Sequence, residues 1–343
     1  MTLEEIKFRQ MSGLYLTEKG EKTAVVRDLL GLQAQFMTNA FHSLRLRCHD
    51  FNGDTSGLVK NWTIRGTVHV FAEEDLGLFV RHNHLSRDWS GYTFWNRRDC
   101  WALTPERQGF FADIIIESVS EKSCTREELK ELCRENGMTE DEESSMFDQW
   151  GGGIRELCER GFMHYTVEEK KSYTASPAFT PMPDEEAKLE IARRYFTNYG
   201  PATVHDAMYF LGAKKSEVKA LLSCLDTKSA DCGGKTYYYI ENSRNLTAPL
   251  PDCVFLAGFD PLMLGHEKKE SLYLPEEHLR KIFNLAGIVM PAVLLRGKVS
   301  GKWKMKNAKL TVELFDTIGE DDKHLIRQSA EEMFTEMKKI EII

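Results

Sequence analysis

Tyr199-Gly200-Pro201-Ala202-Thr203-Val204-His205-Asp206-Ala207-Met208-Tyr209-Phe210-Leu211-Gly212-Ala213-Lys214-Lys215-Ser216-Glu217-Val218 is the stretch on which the reading of the fold turns. Thr203 precedes a short helix to Leu211, and Gly212 ends it. Ala213-Lys214-Lys215 makes a tight turn, and Ser216 reads as the N-cap of an amphipathic helix carrying Val218, Leu221, Leu222 and Leu225. Cys232-Gly233-Gly234 and Tyr237-Tyr238-Tyr239-Ile240 then read as a hairpin. Helix, turn, helix, hairpin is the order of a winged helix, which serves equally in DNA contact and in dimerisation or packing.

Upstream, the same order occurs once more. Thr125-Arg126-Glu127-Glu128 is a capping box for a helix with Leu129, Leu132 and Cys133, which Gly137 stops. The acidic run Glu140-Asp141-Glu142-Glu143 reads as a solvated loop or a helix start, and a helix through Met146-Phe147 and residues 154–157 follows. Strand candidates at 162–167 and 172–175 flank the turn Glu168-Glu169-Lys170-Lys171. Pro177, Pro181 and Pro183 make a linker, since prolines so close together continue neither a helix nor a central strand. A long helix over 184–198 leads into the opening stretch.

Downstream, residues 253–316 look β-rich, with strands at 254–256, 292–295 and 302–306. In the last, Lys302, Lys304 and Lys306 share one face and Trp303 and Met305 the other, so the apolar face packs and three ammonium groups stand in a row. They belong either to a solvated strand or to a phosphate-tracking ridge. An amphipathic helix over about 320–339 closes the chain. The expected domains are 1–120, 121–176, 184–245 and 250–343. The expected fold class is mainly α with small β elements, with tandem winged helices forming a concave surface and a β-rich C-terminal region.

Within 1–120, the segment Asp28-Leu29-Leu30-Gly31-Leu32-Gln33-Ala34-Gln35-Phe36-Met37-Thr38 follows a helix over 22–30. Gly31 is placed as its left-handed cap, and Thr38 as the N-cap of the next helix. Residues two apart on an α-helix point roughly 200° apart, so Gln33 and Gln35 can serve one site only if the backbone between them is a turn or extended. Gly66-Thr67-Val68-His69-Val70-Phe71 is β-like, with Thr67, His69 and Phe71 on one face. Tyr92, Phe94 and Trp95 lie close to Arg97-Arg98; core packing is the default for such rings, though bases stack on them too.

The 343 residues, 42% of them hydrophobic and 29% charged, suit a multidomain globular protein. The longest uncharged apolar run, 288–295, is too short for a bilayer, and charges stand where a signal peptide is apolar. A cytoplasmic location with no membrane partner is expected. Eight cysteines without a CxxC pair read as buried thiols rather than a zinc site or disulfides. The net charge of −8 opposes phosphate binding overall, yet basic residues cluster at Arg45 and Arg47, at Lys214-Lys215 and at Lys298 to Lys309. His82 and His84 are the only pair suggesting a metal-dependent nuclease, and no carboxylates at ligand spacing accompany them.

Leu29-Leu30-Gly31-Leu32-Gln33-Ala34-Gln35, Arg45-Leu46-Arg47 and Arg65-Gly66-Thr67-Val68-His69 together resemble the winged-helix DNA glycosylases of the AlkZ/YcaQ type. Tyr199-Gly200-Pro201-Ala202-Thr203, Gly258-Phe259-Asp260-Pro261 with Gly265-His266, and Gly297-Lys298-Val299-Ser300-Gly301-Lys302-Trp303 follow in that family's order. Gln-x-Gln places the chain on the AlkZ-like branch rather than the Gln-x-Asp branch. The resemblance implies hydrolysis of the N-glycosidic bond of purines alkylated at N7 or N3, including bulky adducts or crosslinks in some members. It makes Gln33 and Gln35 the catalytic residues, and no cofactor or metal is needed. Arg45, Arg47, Arg65, Thr67, His69, Lys214, Lys215, Lys302 and Lys304 are the expected DNA-binding residues. The expected partner is double-stranded DNA carrying alkylated bases, bound by a monomer. A winged-helix regulator without enzymatic activity is the alternative.

Overall fold

The computed structural model describes residues 1–63, 65–90, 101–149, 151–242, 244 and 249–343. The aromatic and arginine cluster at 92–98 lies outside them. Among the described residues stand 14 α-helices and 13 strands, so the class is mixed α/β rather than mainly α. The chain divides at residues 54 and 187: Met1–Asp54 folds with Lys188–Ile343, and Thr55–Ala187 forms a second unit. The expected first domain is therefore split, and the expected break near residue 120 falls inside the second unit.

In the second unit five strands run in the order Val68–Ala72, Leu58–Trp62, Met163–Tyr165, Ser172–Ala175, Cys124–Thr125. Leu58–Trp62 was not expected, because Lys60 and Asn61 interrupt its apolar pattern; both are nonetheless buried. The helix Pro105–Glu121 buries Phe111, Ala112, Ile115 and Val119 at helical spacing. Thr125 caps Arg126–Glu135 through the expected capping box with Glu128. Of the two readings of the acidic run the helix start holds, in Glu140–Met146: Thr139 and Glu142 form a second capping box, and carboxylates suit the positive N-terminal end. The helix Gly152–Glu159 and the hairpin of Met163–Tyr165 with Ser172–Ala175 complete the expected order. Leu129, Cys133, Met146, Ile154, Leu157 and Tyr173 are among the residues that fill the core between these helices and strands.

The first unit holds the opening stretch. Thr203 and Asp206 cap Val204–Leu211 reciprocally, and Gly212 ends it in the left-handed region at φ 63°. The next helix, Lys215–Ser223, starts before Ser216; Lys214 is its N-cap residue, and its backbone N–H donates to the Glu217 carboxylate. Lys228–Cys232 pairs with Lys235–Tyr239 around Gly233-Gly234, both at positive φ as a tight hairpin turn requires.

A five-stranded sheet runs Lys339–Ile342, Lys309–Leu314, Lys298–Lys306, Ala292–Leu295, Cys253–Leu256. The final helix is shorter than expected, Glu320–Met333, and the chain then turns back as a strand parallel to Lys309–Leu314. Phe255, Val293, Trp303, Val312, Ile326 and Phe334 form the core beneath it. Trp303 packs inward as expected, and its indole N–H donates to the Leu256 carbonyl at 2.8 Å. Of the seven described cysteines Cys48, Cys124, Cys133 and Cys158 are buried, and none is paired.

Candidate active site

The helix Lys22–Asp28 ends at Leu29, and the chain reverses through Leu30 at φ 55° and Gly31 at φ 87°. The Gly31 N–H donates to the Val26 carbonyl at 2.8 Å, which satisfies an orphan carbonyl of the helix end. Leu32–Gln33 is then extended, so the backbone carrying the two glutamines is not helical, as their joint use requires. The Gln33 Nε2 donates to the Gln35 Oε1 at 3.3 Å. Among the described residues the two side chains make no further side-chain hydrogen bond. The two amides are unequally presented: Gln33 is 9% exposed, whereas Gln35 stands in solvent.

The next helix is Met37–Arg47, with Phe36 rather than Thr38 at the N-cap position and no side-chain cap. It buries Met37, Ala40, Ser43, Leu44 and Arg47 along one stripe and leaves Arg45 exposed. His42 is buried with its Nε2–H donating to the Phe255 carbonyl at 2.7 Å, and burial lowers its pKa.

Arg47, expected on DNA, is a correction: its side chain is 0% exposed. Its Nε donates to the Leu14 carbonyl at 2.9 Å, its Nη1 to Ser43 Oγ at 2.8 Å and its Nη2 to Asp260 Oδ1 at 2.7 Å. Asp260 is equally buried and also caps Pro261–Leu264 by accepting from the Leu262 N–H at 2.9 Å. Gly-Phe-Asp-Pro thus anchors the helix behind the glutamine segment. Sequence spacing could not distinguish Arg47 from Arg45, but the helical stripe with Leu44 and Ala40 was a signal.

Two further motifs of this unit support the same segment. The Tyr199 hydroxyl donates to the Leu29 carbonyl at 2.8 Å, and the Tyr199 carbonyl accepts from His266 Nε2 at 2.9 Å. Gly265 lies against the Tyr199 ring, where an added Cβ would come within 2.3 Å of it. Asp206 accepts from the Glu267 N–H at 2.9 Å besides capping its own helix. Tyr-Gly-Pro-Ala-Thr and Gly-His are therefore structural supports for the turn that presents the glutamines.

The other expected DNA contacts fall at separate places. Lys214 and Lys215 are exposed at the start of their helix. Lys304 is exposed on its strand, while Lys302 is half-buried and ion-paired with Glu313 at 3.0 Å. In the second unit Arg65 and Thr67 are half-buried before Val68–Ala72. His69 is a second correction: it is buried, its Nδ1 lies 2.9 Å from Thr63 Oγ1, and burial followed by Arg65 lowers its pKa to about 3. A neutral imidazole offers no cation to phosphate. His82 is exposed, while His84 packs edge-on against Phe179.

A family model described as DNA glycosylase AlkZ-like matches residues 26–335. The interstrand DNA cross-link repair glycosylase of Streptomyces sahachiroi is 25% identical over 320 residues, covering 85% of this chain and 84% of that protein. The solved structure of Streptomyces sahachiroi DNA glycosylase AlkZ is similar with a TM-score of 0.75 at 20% identity, covering 100% of both chains. That likeness concerns the fold.

Proposed function

We propose, since the chain belongs to the AlkZ-like DNA glycosylase family, that it hydrolyses the N-glycosidic bond of purines alkylated at N7 or N3, with Gln33 and Gln35 positioning the water. The observation that carries this reading is the amide pair itself, held together on a non-helical segment with Gln35 open to solvent. Gln33 fixes the Gln35 carbonyl, whose second lone pair can accept from a water aimed at the anomeric carbon. An alkylated purine is cationic and already a good leaving group, so no carboxylic acid need protonate it. As the bond from the anomeric carbon to the base nitrogen breaks, its electrons neutralise the purine. Water supplies the new oxygen at that carbon, and its proton goes to solvent. Oriented amide dipoles support the cationic sugar-like transition state. A neutral amide is a weak base, so the substrates are limited to labile, charged lesions. The fit extends to bulky adducts and crosslinks, in keeping with the cross-link repair glycosylase it resembles.

In this reading the two helix, turn, helix, hairpin segments are winged helices, and Arg45, Arg65, Thr67, Lys214, Lys215, Lys302 and Lys304 meet the DNA backbone of a duplex bound by a monomer. The test is a panel of duplexes carrying N7-methylguanine, N3-methyladenine or bulky N7 adducts. Abasic sites formed from the charged lesions are the expected product. Sequence-dependent binding of undamaged duplex with no abasic product would instead support a regulator.

A further inference from the structure

The residue after Gln35 is Phe36, which is 52% exposed although it is fully apolar. Among the described residues Phe110 is the other large aromatic with such exposure, and its ring is already engaged: the Arg107 guanidinium stands over it at 5.7 Å. Among the described residues no cation stands over Phe36. Its ring instead lies nearly parallel to Phe259, with centroids 6.2 Å apart and planes 21° apart. Phe259 is buried at φ 57°, a left-handed conformation that an aromatic residue adopts only when its surroundings hold it there. What holds it is on both sides: its N–H donates to the Val289 carbonyl at 3.1 Å, and the next residue is the buried Asp260 paired with Arg47. The backbone is thus constrained to keep one aromatic ring against another beside the exposed amide.

We propose that Phe36 is the stacking platform for the alkylated base and selects a flat, cationic purine. The proposal rests on the glycosylase reading above and adds the group that recognises the base. A leaving group that is planar and positively charged is attracted to an aromatic face both by stacking and by the ring quadrupole. An aliphatic side chain of similar size supplies contact area and neither of these. Backing by Phe259 restricts the ring's freedom to tilt, so less ordering remains to be done when the base arrives. The Phe36 backbone, at φ −121° and ψ 108°, is in the ordinary extended region that any residue adopts, and its exposed ring fills no core. Substitution there therefore probes recognition more than folding.

The experiment compares wild type with Phe36→Leu, Phe36→Ala and Phe36→Trp on a duplex carrying one N7-methylguanine, measuring kcat/KM for base release and affinity for the undamaged duplex. Thermal melting confirms that each variant is folded. Phe36→Leu and Phe36→Ala should lose about tenfold or more in kcat/KM, the order expected for a lost base–aromatic stack, while Phe36→Trp retains most of it. Affinity for undamaged duplex should be unchanged in all. If Phe36→Leu matches wild type, the residue acts as a wedge or a simple apolar contact and the proposal is overturned. It is also overturned if undamaged duplex binding falls in parallel with release. Absence of release by wild type removes the glycosylase reading itself and the proposal with it, an outcome distinct from either of the others.

Discussion

Arg47 and Arg45 are two residues apart, and the fold buries the one and exposes the other. Arg47 is enclosed with Asp260, so truncating it leaves a carboxylate buried without its cation. Such a loss costs about 3–5 kcal/mol, and Arg47→Met should lower the denaturation midpoint accordingly, with Asp260→Asn in the same chain restoring part of it. Arg45 is exposed, so Arg45→Ala should leave stability alone and reduce the slope of log K against log salt for duplex binding by about one. The reverse pattern would put Arg47 on the phosphates.

His69 gives a pH-dependent expectation at the same scale. Its pKa is about 3 in the folded chain against 6.5 when free, so the unfolded state binds the extra proton between those values. Stability contributed by the neutral form is complete above pH 6.5 and is lost as pH falls toward 3. At pH 5 the loss is about 2 kcal/mol by linkage, and urea titrations at pH 7.5 and pH 5 should differ less for His69→Gln than for wild type by that amount. These residue roles were only half legible in the sequence. That Gln33 and Gln35 sit on non-helical backbone is legible from Gly31 and the helix before it, whereas burial of Arg47 and His69 depends on Asp260, Leu14 and Thr63, which no local pattern connects to them.

At the scale of elements, local signals succeeded wherever a side chain satisfies the backbone within a few residues. Thr125 with Glu128, and Gly212 at φ 63°, are read correctly because the stop and start chemistry is local. Thr139 with Glu142 carries the same signal, which the surrounding acids obscure because a run of carboxylates suits a solvated loop as well as a helix start. Strands fared worse, since pairing is not local. Leu58–Trp62 contains a buried lysine and asparagine that break its apolar pattern, and Lys339–Ile342 is a four-residue edge strand, too short for its alternation to stand out from the helix before it. Gly265 tests the element-level support of the candidate site. A methyl group there would meet the Tyr199 ring and, at 2.9 Å, the Pro261 carbonyl. Gly265→Ala should therefore cost about 1–3 kcal/mol in stability and slow base release by displacing Tyr199 from the Leu29 carbonyl. Unchanged melting and unchanged release would detach that support from the site.

At the scale of the molecule, a chain of net charge −8 is an awkward duplex binder, and the distribution of charge must do what the total does not. Lys214, Lys215 and Lys304 are exposed, whereas Lys302 is already paired with Glu313. Lys304→Ala should lower the salt slope of duplex binding by about one, and Lys302→Ala by less, because breaking its pair returns little charge to solvent. The division at residues 54 and 187 was not legible in composition, since the segment that brings Met1–Asp54 together with Lys188–Ile343 is a contact between distant parts of the chain. Family membership, in contrast, is legible from the order of motifs, several of which brace the glutamine segment or the helix after it: Tyr199 on the Leu29 carbonyl, His266 on Tyr199, and Asp260 on Arg47.

The most direct measurement of the central claim is single-turnover release of N7-methylguanine from a duplex by wild type, Gln33→Ala and Gln35→Ala, scored as abasic sites. The amide-pair mechanism predicts release by wild type and a loss on the order of a hundredfold or more in each variant, with binding of undamaged duplex retained. Equal release by all three proteins would contradict it.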